Sequence, residues 1–241
     1  MCGICGQFRF DGEKVSSKSL DIMMSKLARR GPDSSGKWLH GVIGFGHQRL
    51  SIIDLSNLGS QPMVDEKLGL TLIFNGTIYN YKSLRALLIS HGYRFFSNSD
   101  TEVIIKAYHY WGEGCLERLD GMFAFAIWDE TTQKLFVARD RMGIKPFYFN
   151  ATSKAFTFAS NSQALLTQDL DKSINPVALQ QQLSLHGVVP APNTIINGIQ
   201  KLKPGTFMIL NADGHIQEKT YWSPSAKRPI GNISDQDYIE R

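Results

Sequence analysis

Met1-Cys2-Gly3-Ile4-Cys5-Gly6 opens the chain, and the placement of Cys2 governs how the rest is read. A small residue at position 2 lets the initiator methionine be removed. Cys2 would then carry a thiol and a free α-amine on one residue. That amine titrates near ~7.7–8.0, against ~10.4 for a lysine, so at neutral pH an unprotonated fraction can act as base. The thiol, near ~8.5, becomes a good nucleophile once an adjacent base takes its proton. One position thus holds half of an acyl-transfer apparatus. Outward from it, residues 3–10 read as a strand through Ile4, Gln7, Phe8 and Phe10, turned by Asp11-Gly12.

The 241 residues suffice for one large core or two small ones. Hydrophobic residues at 42% and charged residues at 20% give a folded, soluble balance rather than a disordered one. The net charge is +4 and no lysine/arginine run exceeds two residues, so no nucleic-acid partner is expected. The odd, sparse set Cys2, Cys5 and Cys115 argues against a disulfide framework and for a reducing compartment. Cys2-Gly3-Ile4-Cys5 has the C-x-x-C form without a second pair or histidines at ligand spacing. No metal is expected there, and Cys5 reads as a buried strand residue. The N-terminus lacks the basic and apolar regions of a signal peptide, and the strongest apolar stretch, 122–128, is too short for a bilayer. The expected location is cytoplasmic, with no membrane contact.

Further strands are expected at 42–47, 50–53, 70–75, 135–139, 147–149 and 156–159. Phe123, Phe125 and Ile127 alternate with Ala124, Ala126 and Trp128, as in a strand buried on both faces. Asn211-Ala212-Asp213-Gly214 reads as a hairpin between 207–210 and 215–217. Helical spacing joins Leu20, Met23, Met24 and Leu27 behind Ser16/Ser17; Leu84, Leu87 and Leu88, ending at His91-Gly92; and Val103, Ile104, Ala107, Tyr108 and Trp111. Ser99-x-x-Glu102 has the form of a capping box, and Asn175-Pro176 starts a fourth helix. Strands grouped in runs with helices between them point to antiparallel sheets covered by helices, an α+β fold. After Trp222 the composition turns linker-like, and Ser234-Asp235-Gln236-Asp237 resembles a helix start. We therefore expect a domain over 1–222, then a linker and the beginning of a further, truncated C-terminal domain over 223–241.

A thiolate attacking an amide needs donors for the developing oxyanion. An Asn side chain plus the next backbone N–H is one such arrangement, and Asn75-Gly76 supplies it, although the pair is also a plain turn. An amino-acid substrate needs a guanidinium for its carboxylate and an anion for its ammonium. Arg49 and Asp100 fit those roles. Arg49 equally fits a structural ion pair, His47 a satisfied strand histidine, and Asp140-Arg141 an internal pair bracing a turn.

Together these clusters resemble the class II glutamine amidotransferases, and within them the N-terminal glutaminase domain of glutamine-hydrolysing asparagine synthetases. Met-Cys-Gly-Ile, Arg30-Gly31-Pro32-Asp33, Arg49-Leu50-Ser51-Ile52, Asn75-Gly76-x-Ile78-Tyr79-Asn80, Ser99-Asp100-Thr101-Glu102, 121–126 and 139–146 occur in family order. The resemblance runs from Cys2 to about Trp222. It implies a four-layer αββα sandwich of two antiparallel β-sheets, the N-terminal nucleophile hydrolase fold. It further implies that Cys2 attacks the side-chain amide of glutamine with its own α-amine as base, giving a γ-glutamyl thioester. Asn75 and Gly76 would hold the oxyanion; Arg49 with Leu50, Ser51, Ile52 and Ile53 the carboxylate end; and Asp100 with Thr77 the ammonium. ATP and Mg would belong to a synthetase domain outside this stretch, which would amidate aspartate. Relatives that amidate another carboxylate, such as a surface-sugar acid, a scaffold with an impaired pocket, and a different hydrolase of the same fold remain alternatives. A homodimer is compatible with this reading, and the sequence fixes no oligomeric state. Two departures stand out: the family's Asn-Gly-Glu is Asn75-Gly76-Thr77 here, and its His-Arg-Gly-Pro-Asp begins with Arg29.

Overall fold

A computed structural model of the chain describes residues 1–225. In chain order it contains β1 (Gly3–Arg9), α1 (Ser17–Ser25), β2 (Ser34–His40), β3 (Ile43–Arg49), β4 (Met63–Asp65), β5 (Leu70–Ile78), α2 (Tyr81–Ser90), α3 (Asp100–Trp111), α4 (Cys115–Arg118), β6 (Gly121–Asp129), β7 (Lys134–Arg139), β8 (Tyr148–Ala151), β9 (Ala155–Ala159), α5 (Ser162–Leu165), α6 (Pro176–Ser184), β10 (Gln200–Lys201), β11 (Thr206–Leu210) and β12 (Ile216–Thr220). The helix start expected at Ser234 lies outside the described residues.

The strands form two antiparallel sheets, in the orders β10-β8-β9-β1-β3-β2 and β12-β11-β7-β6-β5-β4. One apolar layer joins them: Ile4, Phe8 and Phe45 from the first sheet meet Ile73, Ala124, Trp128 and Val137 from the second. Alanines alternating with large residues along β6 let the sheets approach, and Phe8 stands edge-on to Trp128 at 5.1 Å between ring centroids. Truncating such a buried aromatic to alanine typically costs about 3–5 kcal/mol. The outer face of the first sheet is covered by α1, the turn after it and α5 through Leu20, Met23, Met24, Leu27 and Leu165. Helices α2, α3 and α4 cover the second through Leu84, Leu88, Ile104 and Leu116. The result is the four-layer αββα sandwich.

Most local signals act as written. Ser16 accepts from the Ser19 N–H at 3.3 Å and Asn175 from the Ala178 N–H at 3.1 Å, capping α1 and α6. Cys5 is fully buried in β1. Three expectations need correction. Residues 50–53 form no strand: Asp33 accepts the Ser51 N–H at 2.8 Å, and the Arg49 guanidinium donates back to the Asp54 and Ser56 carbonyls, folding the chain into a loop. The capping box is half-formed, since Ser99 accepts from the Thr101 N–H at 3.1 Å, but Glu102 instead accepts from the backbone N–H groups of Phe96 and Ser97. Asp140 does brace its turn, through the backbone N–H groups of Phe123, Ile144 and Lys145 and not through Arg141, which pairs with Asp120 at 3.8 Å. Strand β2 escaped the sequence reading because it is a mostly exposed edge strand without a clear apolar alternation.

Candidate active site

A cavity of about 180 Å3 opens between the N-terminal end of β1, the β3–β4 loop, the C-terminal half of β5 and the N-terminus of α3. Cys2, Arg49, Leu50, Ile52, Ile53, Asn75, Gly76, Thr77 and Asp100 all line it. Of the residues expected at the site, Ser51 alone is not brought to the wall; its N–H is turned to Asp33.

Cys2 enters just ahead of β1 and is fixed from two sides. Its thiol donates to the Leu50 carbonyl at 3.5 Å, and its sulfur accepts the Leu50 N–H at 3.4 Å. Arg30 Nε donates to the Cys2 carbonyl at 3.1 Å. Burial pushes the thiol upward from its ordinary value, while the Leu50 N–H and the nearby positive charges, Arg49 among them, pull the other way. The loop that carries Arg30 passes so close to β3 that a Cβ at Gly31 would lie 2.1 Å from the Gln48 carbonyl oxygen, so only glycine fits there. Arg29, in the place of the family's histidine, points outward and is exposed.

Asn75 reaches the same cavity from the other sheet. It sits within β5, paired to Ala124, rather than in a turn. It is 1% exposed, and its Nδ2 has no hydrogen-bond partner among the described residues. A buried amide donor left unsatisfied costs on the order of 1–3 kcal/mol, so a group that can accept from it would be bound favourably there. At Gly76 a Cβ would lie 2.3 Å from the Met122 carbonyl oxygen, so β5 and β6 can close beside the cavity only around glycine. His47 Nε2 donates to the Phe74 carbonyl at 3.2 Å, tying β3 to the residue before Asn75. Burial holds this imidazole neutral, down to about 4. It is a buried strand histidine as the sequence implied, but only half satisfied, since Nδ1 has no partner among the described residues.

The far end of the cavity is acidic. Asp100 Oδ2 accepts the Ile78 N–H at 3.0 Å, and Ser99 donates to Oδ1 at 3.4 Å. Burial pushes this carboxyl above the usual carboxylate range, against the pull of its backbone donors. No cation pairs with it among the described residues. The α3 terminus that presents Asp100 is itself anchored. Glu102, fully buried, accepts from Phe96 and Ser97, and the Lys106 ammonium bridges Glu102 at 3.5 Å and Asp65. Asp54 fixes the same loop by accepting the Asn98 N–H at 2.9 Å.

Sequence reasoning missed Gln61 and Lys145 on the wall. Gln61 Oε1 accepts the Phe74 N–H at 2.6 Å and Nε2 donates to Thr101 at 3.3 Å, bridging β5 and α3. Nothing in the local pattern around Gln61-Pro62 announces that role. Lys145 lies inside the 139–146 run, but its place on the wall of the Cys2 cavity depends on the fold. Among the described residues no group of three or more His, Cys, Asp or Glu side chains is placed to hold a metal, and no helix is long and apolar enough to cross a membrane.

Comparison with known proteins bears directly on this arrangement. The family model of the glutamine amidotransferase domain matches residues 1–222. Asparagine synthetase [glutamine-hydrolyzing] 3 of Bacillus subtilis is 36% identical over 240 residues, covering 98% of this chain and 39% of the relative. Asparagine synthetase [glutamine-hydrolyzing] 1 of the same organism is 39% identical, covering 98% and 37%. The chain thus spans well under half the length of these curated relatives. Among solved structures, glutamine phosphoribosylpyrophosphate amidotransferase from B. subtilis superposes with a TM-score of 0.67 over 92% of this chain and 50% of its own, at 20% identity, which speaks to fold. Fold, cavity and sequence relatives agree, and the chain belongs to the glutamine amidotransferase domain family.

Proposed function

We propose that this domain hydrolyses glutamine to glutamate and ammonia at the cavity around Cys2. With Met1 removed, the Cys2 α-amine takes the thiol proton, and the thiolate attacks the side-chain amide carbon of glutamine. The oxyanion that forms is met by Asn75 Nδ2 and the Gly76 N–H, donors fixed in advance by β5. The α-amine returns its proton to the departing nitrogen, ammonia leaves, and a γ-glutamyl thioester remains. Water, deprotonated by the same amine, then attacks the thioester and releases glutamate. Arg49, with Leu50, Ile52 and Ile53, receives the substrate carboxylate, and Asp100 with Thr77 the ammonium.

The observation that carries this reading is the orphaned Nδ2 of Asn75, a residue that lines the same cavity as Cys2. The relatives' names support a wider one. The ammonia would pass to an ATP- and magnesium-using domain of a longer protein in the cytoplasm and amidate aspartate or another carboxylate, and a homodimer is compatible with that. The test is glutamate release from glutamine by protein shown by mass spectrometry to lack Met1, with Cys2→Ala as control. Activity confined to the Met1-free Cys2 form is expected. Equal activity in a preparation retaining Met1 would refute the α-amine as base, and activity in the alanine control would refute Cys2 as nucleophile.

A further inference from the structure

Lys145 is 5% exposed, on the loop after β7, and reaches the cavity wall beside Cys2. A buried ammonium usually has a carboxylate or several carbonyls around it. Among the described residues the only hydrogen-bond partner of Lys145 Nζ is the Met1 thioether sulfur, a weak acceptor, at 3.4 Å. Asp140, the nearest candidate counter-charge on its own loop, has its carboxylate occupied by three backbone N–H groups. Burial and the neighbouring Arg30 guanidinium both press this ammonium toward its neutral form, while Asp140 and the Cys2 sulfur oppose them. Such a residue costs stability where it stands and gains its compensation from whatever anion comes to it.

Its one partner is the residue that must leave. Resting on the proposal that Met1 is removed and Cys2 is the nucleophile, we propose that Lys145 is a positioning residue: its ammonium, freed from the Met1 thioether, attracts and orients the Cys2 thiolate. The proton lost by the thiol goes to the α-amine, and no charge on Lys145 changes. The other charged groups bearing on that sulfur are Arg30 from the loop after α1, Arg49 at the end of β3, Asp100 at the start of α3, and the N-terminal amine of Met1. Asp100 opposes the thiolate and the two arginines favour it. Arg30 is anchored on the Cys2 carbonyl and Arg49 on the carbonyls of Asp54 and Ser56, so neither is as free to follow the sulfur.

The experiment measures the rate of iodoacetamide alkylation of Cys2 against pH in Met1-free protein, following Cys2 by peptide mass spectrometry. Because it reads the thiolate without glutamine, it stands or falls separately from the glutaminase assay. Lys145→Met and Lys145→Gln should raise the midpoint of the profile by about one pH unit, the usual effect of removing one nearby opposite charge. Alkylation at pH 7 should fall about tenfold and kcat should fall with it, leaving KM for glutamine within about twofold. Lys145→Arg should restore the wild-type midpoint. An unchanged midpoint in the neutral variants, or a shift in the arginine variant as large as in the methionine one, would overturn the proposal.

Discussion

Replacing Asn75 by alanine sets activity against stability. In most buried positions a lost polar side chain costs both. Here the Nδ2 group is buried without a partner among the described residues, a condition that by itself costs about 1–3 kcal/mol of desolvation. Asn75→Ala removes that cost, which offsets the packing lost with a side chain that is 1% exposed. We expect the free energy of unfolding to stay level or rise by up to ~1 kcal/mol. Turnover should move the other way. Loss of one oxyanion donor costs about 2.7–4 kcal/mol, or ~10²–10³ in kcat, with KM little affected because the ground-state carbonyl makes less of the contact. Glutamate release as a function of glutamine concentration gives kcat and KM, and urea titration gives stability. A loss confined to KM would mean that Asn75 binds the ground state. A stability loss above ~2 kcal/mol with kcat intact would mean that the amide has a structural partner and no part in the chemistry.

Thr77→Glu adds a carboxylate beside Asp100 where Thr77 can offer only a neutral acceptor. A charge-assisted bond worth about 1.5–3 kcal/mol should lower KM for glutamine roughly tenfold at ~1.4 kcal/mol per decade, with kcat nearly unchanged. An unchanged or raised KM would show that the pocket already compensates or that glutamine is not its ligand. His47 is held down to about 4 in the fold against 6.5 ordinarily, so the unfolded chain binds the extra proton first. Its contribution is therefore complete above pH 6.5 and is lost as pH falls toward 4, about 3 kcal/mol in all at 1.36 kcal/mol per pH unit. Urea midpoints across that window should fall more steeply for wild type than for His47→Gln, and equal slopes would contradict the burial argument.

The elements legible in the sequence were those whose signal is local and strong. The alternation along β6 and the Asn211-Ala212-Asp213-Gly214 turn, closed by Asn211 donating to the His215 carbonyl at 3.0 Å, stand where the pattern put them. The spacing of Leu20, Met23 and Met24 marks the buried stripe of α1. The misses had long-range causes. Residues 50–53 are apolar enough for a strand, but the Arg49 side chain bends them into a loop using carbonyls five and seven residues on. Glu102 has capping-box spacing and is drawn instead to a loop that the sequence does not show is adjacent. At the site, residue types and order identified Cys2, Arg49, Asn75, Gly76 and Asp100 as candidates, and the fold brings these five to one cavity. Ser51 was carried along by its neighbours in the motif and faces elsewhere. Gln61 and Lys145 became visible only when strands far apart in sequence closed on each other.

The proposed nucleophile and its proposed oxyanion donors belong to different sheets, Cys2 ahead of β1 and Asn75 within β5. The gap between them is therefore set as in a machined assembly, by the thickness of everything stacked in between. Trp128 touches none of the cavity, yet it is part of that stack, as are Phe8, Phe45 and Ala124. A methyl group added or removed there strains or loosens a close-packed layer, and the strain is carried to both walls of the cavity. Interior positions that read as mere filling thus carry a dimensional tolerance. Laboratory evolution of this domain should find rate-altering substitutions deep in the inter-sheet layer as readily as around the rim of the cavity.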